Sequence, residues 1–240
     1  MASLLIRNCA YIFPLVGRYS EVLPVAENME LLKPTEAAVV SGVELTIVNH
    51  AIDRALPERV VRRGKGKAVS AEACLYIAFY HRSAGRLTAD ERRFAIQDID
   101  SRVAQAGEGA LRWHSLRRHC KVYHDFLALD LDTFWSETHD RWGRYMAARE
   151  AVKTDPSVLG GTPVIAGTRV PVYDVAASVA AGLSPTRIAS AYPSLSTEQI
   201  ELAALYAKAN PLQGRPTERR ALEGAKVLSK RTVERRRQGA

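Results

Sequence analysis

The chain has 240 residues, of which 47% are hydrophobic and 25% are charged, so it can bury a sizeable core and is not disordered throughout. Its net charge of +8 indicates a polyanionic or acidic partner. The three cysteines are widely spaced and form no C-x-x-C pair, which excludes a disulfide framework and favours the reducing cytoplasm.

The first apolar stretch, residues 4–16, is broken by Arg7 and Asn8. It is shorter than the roughly 20 residues that a membrane-spanning helix needs, so no contact with a membrane is expected. No basic residue precedes it, as one would in a signal peptide. We therefore interpret it as a packing segment.

From residue 31 onward the pattern of apolar residues predicts a mainly α fold in four parts. These parts are a winged helix-turn-helix (31–107), a helical connector (108–151), a trihelical, helix-turn-helix-like domain that opens with a β-hairpin (152–210), and a basic tail (211–240).

Two predicted helices joined by a glycine turn open the first part. Pro34 begins the first helix, and Gly42 ends it because glycine readily adopts the left-handed conformation found at helix ends. The second helix covers residues 45–55. Its apolar side chains recur at three- and four-residue spacing and should face the core: Ile47, Val48, Ala51, Ile52 and Ala55. This arrangement is typical of a helix-turn-helix.

The opposite face of the second helix is polar, as expected of a helix that contacts DNA bases. Asparagine pairs with adenine and arginine with guanine or phosphate, so Asn49 and Arg54 are candidate DNA contacts. Thr46 and His50 lie on the same face and complete the set.

A basic hairpin is predicted directly after this helix. Residues 58–63 and 67–70 have the pattern of short strands about a turn, Gly64-Lys65-Gly66. We expect its five cations to contact DNA phosphates while the preceding helix enters the major groove: Arg59, Arg62, Arg63, Lys65 and Lys67.

The helix-turn-helix, the basic hairpin and a trailing helix over residues 71–83 occur in this order. Together they resemble the winged helix-turn-helix of MerR- and excisionase-type proteins over residues 31–77. The resemblance implies a DNA-binding domain. A further helix is expected after Thr88, because Thr88 and Glu91 form a capping box.

The connector places three histidines near Cys120 without the C-x-x-C or H-x₃-H spacing of a zinc site: His114, His119 and His124. We interpret them as surface residues of a basic helix and expect no metal or other cofactor. Residues 126–134 alternate like a strand that leads into a helix capped by Asp132.

The third part of the chain, the trihelical domain, begins with a predicted hairpin. Val164 and Ile165 pair with residues 170–172 across a turn at Gly167-Thr168-Arg169. Three helices follow, the second capped by Ser184 and the third by a box of Ser196 and Gln199: residues 173–181, 185–191 and 197–209.

The motif GTPVIAGTRVPV at residues 161–172, with YPSLS and NPLQGRP after it, resembles a family of small helical domains of unknown function found in bacterial antitoxins. Together with the winged helix-turn-helix and the basic tail, it is similar to a VapB-type antitoxin of a VapBC pair. The resemblance implies a type II antitoxin that inhibits a PIN-domain, VapC-type ribonuclease toxin. It also implies a homodimer that binds its own operator DNA as a repressor.

The tail carries most of the excess charge, with nine Lys and Arg against three Glu, or +6, from residue 215 onward. The resemblance implies a toxin with clustered carboxylates, and arginine pairs bidentately with carboxylates. The expected toxin-binding residues are Arg215, Arg219, Arg220, Lys226, Lys230, Arg231, Arg235, Arg236 and Arg237. The alternative is a solvated tail or a nonspecific nucleic-acid arm.

No Ser/His/Asp or Cys/His set has informative spacing, so the chain is not expected to be an enzyme. Two other functions stay open: a stand-alone transcription regulator and, less favoured, a metal-dependent nuclease built on residues 114–132. The trihelical domain has two candidate roles as well, dimerisation or a second DNA contact. Glu198 and Glu201 on its last helix favour dimerisation, because DNA phosphates repel carboxylates.

Overall fold

The structure, a computed structural model, forms two compact units, Met1–Asp140 and Arg141–Ala240. It describes residues 30–64, 66–107, 111–124 and 127–212. Over these ranges it contains nine α-helices and three small antiparallel sheets, which confirms the predicted mainly α fold. Within the same ranges no helix has the length and apolar character to cross a membrane. The predicted packing segment at 4–16 and the tail beyond residue 212 lie outside the described residues.

The first unit contains most of the secondary structure. Its helices are α1 (Pro34–Ser41), α2 (Leu45–Arg54), α3 (Ala73–Arg82), α4 (Ala89–Gln105) and α5 (Trp113–Arg118). Its strands are β1 (Leu31–Leu32), β2 (Val61–Arg62), β3 (Ala68–Ser70), β4 (Lys121–His124) and β5 (Leu127–Asp130). Helix α6 (Asp132–Glu150) begins in this unit and ends in the second.

Helix α3 is the centre of the first unit, because every residue from Ala73 to Tyr80 is buried. Helices α1, α2 and α4 and strand β3 all contact it. A helix that is apolar around its whole circumference needs neighbours on every side, and these elements supply them. The core of this unit therefore forms around α3.

The helix-turn-helix is formed as predicted. Gly42 adopts a φ of +70°, and its N–H donates to the Ala38 carbonyl at 3.0 Å, so the turn between α1 and α2 is left-handed. Val48, Ala51 and Ile52 of α2 are buried, which confirms the predicted core face of that helix.

Strand β3 lies between β1 and β2, with Leu31 opposite Ser70 and Val61 opposite Val69. We call residues 58–70 the wing. The predicted first strand of the wing is wrong at its start, because Glu58–Val60 form a 3₁₀ turn after Pro57. Proline fixes its own φ near −60° and removes a backbone donor, so it begins this turn more readily than a paired strand.

The connector was predicted to be helical, but it contains a β-hairpin; only β5, which falls within the strand predicted at residues 126–134, was expected. Strands β4 and β5 pair antiparallel between α5 and α6, with Lys121 opposite Asp130 and His124 opposite Leu127. The basic helix ends at Arg118, so His124 lies on a strand. The cap of α6 also differs from the predicted one, which was the side chain of Asp132. Instead, the Asp130 carboxylate accepts the Asp132 N–H at 2.9 Å.

The second unit packs three helices over a small sheet. Its elements are β6 (Val152–Lys153), β7 (Val164–Ile165), α7 (Val172–Ala180), α8 (Pro185–Ala191) and α9 (Thr197–Ala209). One apolar cluster joins them: Val152, Ile165, Val172, Val175, Ile188, Leu195, Ile200 and Ala203. The predicted caps are confirmed, since Ser184 Oγ accepts the Arg187 N–H and Ser196 Oγ accepts the Gln199 N–H.

The hairpin predicted in this unit has a different main partner. Strand β7 pairs with β6. The segment after the Gly167 turn, which was predicted to pair with β7, makes only a single bridge to it, between Pro171 and Val164. The Ile165 N–H donates to the Val170 carbonyl at 3.0 Å around the left-handed Gly167. Proline at 171 has no N–H to extend this segment into a strand, which explains the difference.

Candidate nucleic-acid interface

The outer face of α2 presents the polar residues predicted for it. Thr46, His50, Asp53 and Arg54 are exposed, and Asn49 is half-buried. These side chains cover one side of the helix, while Val48, Ala51 and Ile52 hold the other side in the core. Helix α2 therefore presents a polar face to solvent, and a major groove is wide enough to admit an α-helix.

The wing is attached to the C-terminal end of α2 by a charged pair. Lys67 Nζ donates to both carboxylate oxygens of Asp53, at 2.6 and 2.7 Å. This hydrogen bond with Lys67 holds the pKa of the Asp53 carboxyl below its ordinary value. Lys67, predicted to contact phosphate, is thus part of the contact that orients the wing.

Arg63 makes a second attachment at the same helix end. Its Nη2 donates to the Ile52 carbonyl at 3.1 Å, and its Nη1 pairs with Glu58. A cation at the C-terminal end of a helix satisfies a carbonyl that has no partner within the helix, and it is favoured by the helix dipole. Arg63 therefore joins the first limb of the wing to α2, while Lys67 joins the second.

Arg59 is directed to α4. Its Nε donates to Asp100 Oδ2 at 2.7 Å, its Nη2 lies 2.7 Å from Oδ1, and Nη2 also donates to the Asp100 carbonyl at 2.8 Å. The Asp100 side chain is only 12% exposed. This charge-assisted pair fixes the first residues of the wing on α4.

Arg54 and Arg62 are exposed and make no hydrogen bond or ion pair within the part of the chain that the structure describes. Lys65 lies outside the described residues. Three of the predicted phosphate contacts, Arg59, Arg63 and Lys67, are thus paired with carboxylates of the same chain. Arg54 and Arg62 have no such partner among the described residues. Two of these pairings have no direct signal in the sequence, because Asp100 is 41 residues from Arg59 and Asp53 is 14 residues from Lys67.

Two histidines of the connector stack against aromatic rings. The His124 ring lies 3.9 Å from that of Phe94, and His139 stacks on Trp135 at 4.7 Å. Among the described residues, no three His, Cys, Asp or Glu side chains are grouped closely enough to hold a metal ion.

Helix α9 of the second unit exposes the polar residues expected of it. Thr197, Glu198, Glu201 and Lys208 are all exposed, and Glu201 Oε2 lies 3.2 Å from Arg144 Nη2. No basic surface comparable to the wing is formed by this helix.

Helix α1, its glycine turn, helix α2 and the attached wing define a winged helix-turn-helix module, which is followed in the chain by a small trihelical unit. Residues 152–207 match a protein family described as a protein of unknown function, DUF433. The chain is 51% identical over 214 residues to the uncharacterized protein y4eO of Sinorhizobium fredii, which covers 87% of this chain and 95% of that one. The chain belongs to the same family as this relative.

Among solved structures, the chain is similar to the X-ray crystal structure of Rv2018 from Mycobacterium tuberculosis. The two are 20% identical, the match covers 71% of this chain and 95% of that one, and the TM-score is 0.30.

Proposed function

We propose that this protein is the antitoxin of a type II toxin–antitoxin system. In this proposal it binds the operator of its own operon through the winged helix-turn-helix, and it inhibits a PIN-domain, VapC-type ribonuclease. It acts as a homodimer in the cytoplasm and is not itself an enzyme.

The observation that carries the DNA-binding half is the attachment of the wing to α2. The Lys67–Asp53 and Arg63–Ile52 contacts place a basic hairpin beside the polar face of the helix. A helix in the major groove needs phosphate contacts at its flank to fix its register, and a rigidly held wing supplies them. In this proposal Arg54 and Arg62 contact phosphate or base, with Thr46, Asn49, His50 and Lys65, while Arg59, Arg63 and Lys67 position the wing.

The homodimer follows from the same half of the proposal. One helix-turn-helix reads only a few base pairs, so operators for such modules are palindromic and are bound by two copies. The trihelical unit is the candidate dimerisation element, because α9 presents carboxylates that a DNA phosphate would repel.

The toxin-binding half is supported by the match of residues 152–207 to DUF433, since the motif in this region resembles antitoxin-associated domains. It is supported further by the charge of the tail, which lies outside the described residues. Nine cations from Arg215 to Arg237 fit a nuclease whose active site is built of carboxylates. Arginine entering such a site would exclude both the metal and the RNA.

The test is co-expression of the tagged full-length chain with the product of the neighbouring gene, followed by purification and a ribonuclease assay. We expect a small nuclease to co-purify, to be inactive in the complex and to become active after separation. The purified complex should shift a duplex that carries the promoter of the operon.

A chain that ends at Pro211 serves as the matched variant. It keeps every described element except the last residue, so it should bind the promoter duplex but no longer inhibit the nuclease. If no nuclease co-purifies while the promoter is still shifted, the protein is a stand-alone regulator and the toxin-binding half is refuted. If neither result is obtained, and the chain itself cuts RNA in the presence of metal, the nuclease alternative replaces the proposal.

A further inference from the structure

A cleft of about 610 Å³ lies beside the β4–β5 hairpin, within the first unit and apart from the polar face of α2. Helices α4 and α5, both strands of the hairpin and the first residue of α6 line it. Its volume lies in the range of sites that take small organic ligands. The winged helix-turn-helix surface described above does not include any of the residues that line this cleft.

Tyr123 stands at the edge of the cleft with 74% of its surface exposed. It is the most exposed large hydrophobic residue in the described part of the chain. Alternation along β4 places it on the same face as Lys121, and the strand register places Asp130 opposite Lys121. An aromatic ring exposed to this degree on a paired strand is a surface on which a flat ligand can stack.

Of the cations that line the cleft, Arg102 is fixed, whereas Lys121 and Arg117 are accessible to a ligand. Arg102 is held by Asp98, at 2.6 and 3.0 Å, and by the His119 and Lys121 carbonyls. Lys121 lies 3.8 Å from Asp130, and its side chain is 65% exposed. A loose, solvated pair of this kind contributes little, so a stronger anion can take the lysine.

Arg117 is oriented for an external ligand. Its guanidinium lies over the Trp135 ring at 4.7 Å and is 3.9 Å from the Asp132 carboxylate. Stacking on an aromatic ring fixes the plane of the guanidinium while leaving its N–H edges for hydrogen bonds. Arg118 lies beside it in the cleft and adds a further positive charge.

We propose that this cleft binds a nucleotide of single-stranded nucleic acid. Arg117 and Lys121 hold the phosphate, the base stacks on Tyr123, and the carboxylates of Asp130 and Asp132 accept hydrogen bonds from sugar hydroxyls or base amino groups. A cleft that combines cations, carboxylates and an exposed aromatic ring matches the three parts of a nucleotide, whereas duplex DNA hides its bases from such a ring. A free nucleotide presents the same chemistry.

The experiment measures the affinity of the full-length chain for an end-labelled oligouridylate by fluorescence anisotropy. An excess of unlabelled duplex DNA is added to saturate the helix-turn-helix and the wing and to compete with any nonspecific binding of the oligonucleotide to the basic tail. We expect Tyr123→Ala to weaken binding by about five- to 150-fold, the equivalent of losing one stacked base, and Tyr123→Phe to bind like the wild type. Lys121→Ala should weaken binding and reduce its salt dependence.

Both alanine variants should shift the promoter duplex like the wild type, because neither side chain is part of the helix-turn-helix or the wing. Competition by UMP would mean that the cleft takes free nucleotides, and competition by the oligonucleotide alone would mean that it needs a strand. The proposal is overturned if Tyr123→Ala binds the oligouridylate as tightly as the wild type, or if Tyr123→Phe is as weak as Tyr123→Ala. Neither result depends on whether a toxin co-purifies, so this proposal and the antitoxin proposal fail separately.

Discussion

Arg62 provides a direct test of how the wing contacts DNA. Among the described wing cations, Arg59, Arg63 and Lys67 each have a carboxylate partner, whereas Arg62 is exposed and has none within the described residues. Arg62→Ala should therefore remove a phosphate contact without disturbing the attachment of the wing to α2. Each phosphate contact contributes about 0.9 to the slope of log K against log salt concentration. Between about 50 and 200 mM salt, the wild type should lose about 3.5-fold more affinity per chain than the variant.

The assay is fluorescence anisotropy with the promoter duplex at several salt concentrations. Arg93→Ala is the matched control, because it removes the same charge from an exposed pair with Asp90 on α4. The control should leave the slope unchanged, and a scrambled duplex should show the same loss of slope with Arg62→Ala as the promoter does. Equal slopes for Arg62→Ala and the wild type would refute the assignment of Arg62 to a phosphate.

Three further outcomes follow from buried groups of the first unit. Asp100→Ala should lower the free energy of unfolding by about 2 to 3 kcal/mol in urea denaturation, because it breaks a largely buried ion pair. Asp90→Ala, which breaks an exposed pair, should lower it by at most about 1 kcal/mol. Burial raises the pKa of Glu72 to about 7, so the folded state keeps a proton that the unfolded state has released. The contribution of Glu72 to stability should therefore fall as pH rises from about 4.5 to 7. Relative to Glu72→Gln, the wild type should lose up to about 3 kcal/mol over this range, whereas parallel pH profiles of the two proteins would contradict this assignment. Burial also raises the pKa of the Cys120 thiol to about 12 and that of the Cys74 thiol well above its ordinary value. In a variant with Cys9 replaced by serine, Ellman's reagent at about pH 8 should label the protein only after urea unfolds it. Rapid labelling without urea would show that these two thiols are accessible in the folded protein.

Local sequence signals predicted the helices and their ends well. Gly42 could be assigned to a left-handed turn, and Thr88 and Ser196 to helix caps, because each depends on residues at most four positions away. The polar face of α2 followed from helical periodicity for the same reason. The exposed members of the candidate DNA interface were thus within reach of sequence reasoning.

The pairings that organise the wing were not predictable in this way. Arg59 and its partner Asp100 are 41 residues apart, and nothing in the pattern around Arg59 distinguishes it from Arg62. Strand β4 of the β4–β5 hairpin was not predicted, because Lys121–His124 follows a basic helix and resembles its continuation. Strand β6 has only two residues, and its partner becomes identifiable only when the chain folds back.

Helix α4 holds both the wing and the β4–β5 hairpin. Residues two apart on an α-helix point about 200° from each other, so Asp100 and Arg102 act from nearly opposite sides of the same helix. Asp100 holds the wing through Arg59, and Arg102 holds the carbonyls of His119 and Lys121. A helix of 17 residues is a stiff rod about 25 Å long, so it rotates and shifts as one body. The wing and the β4–β5 hairpin are therefore attached to opposite sides of one helix, so a rotation of α4 about its axis would displace both.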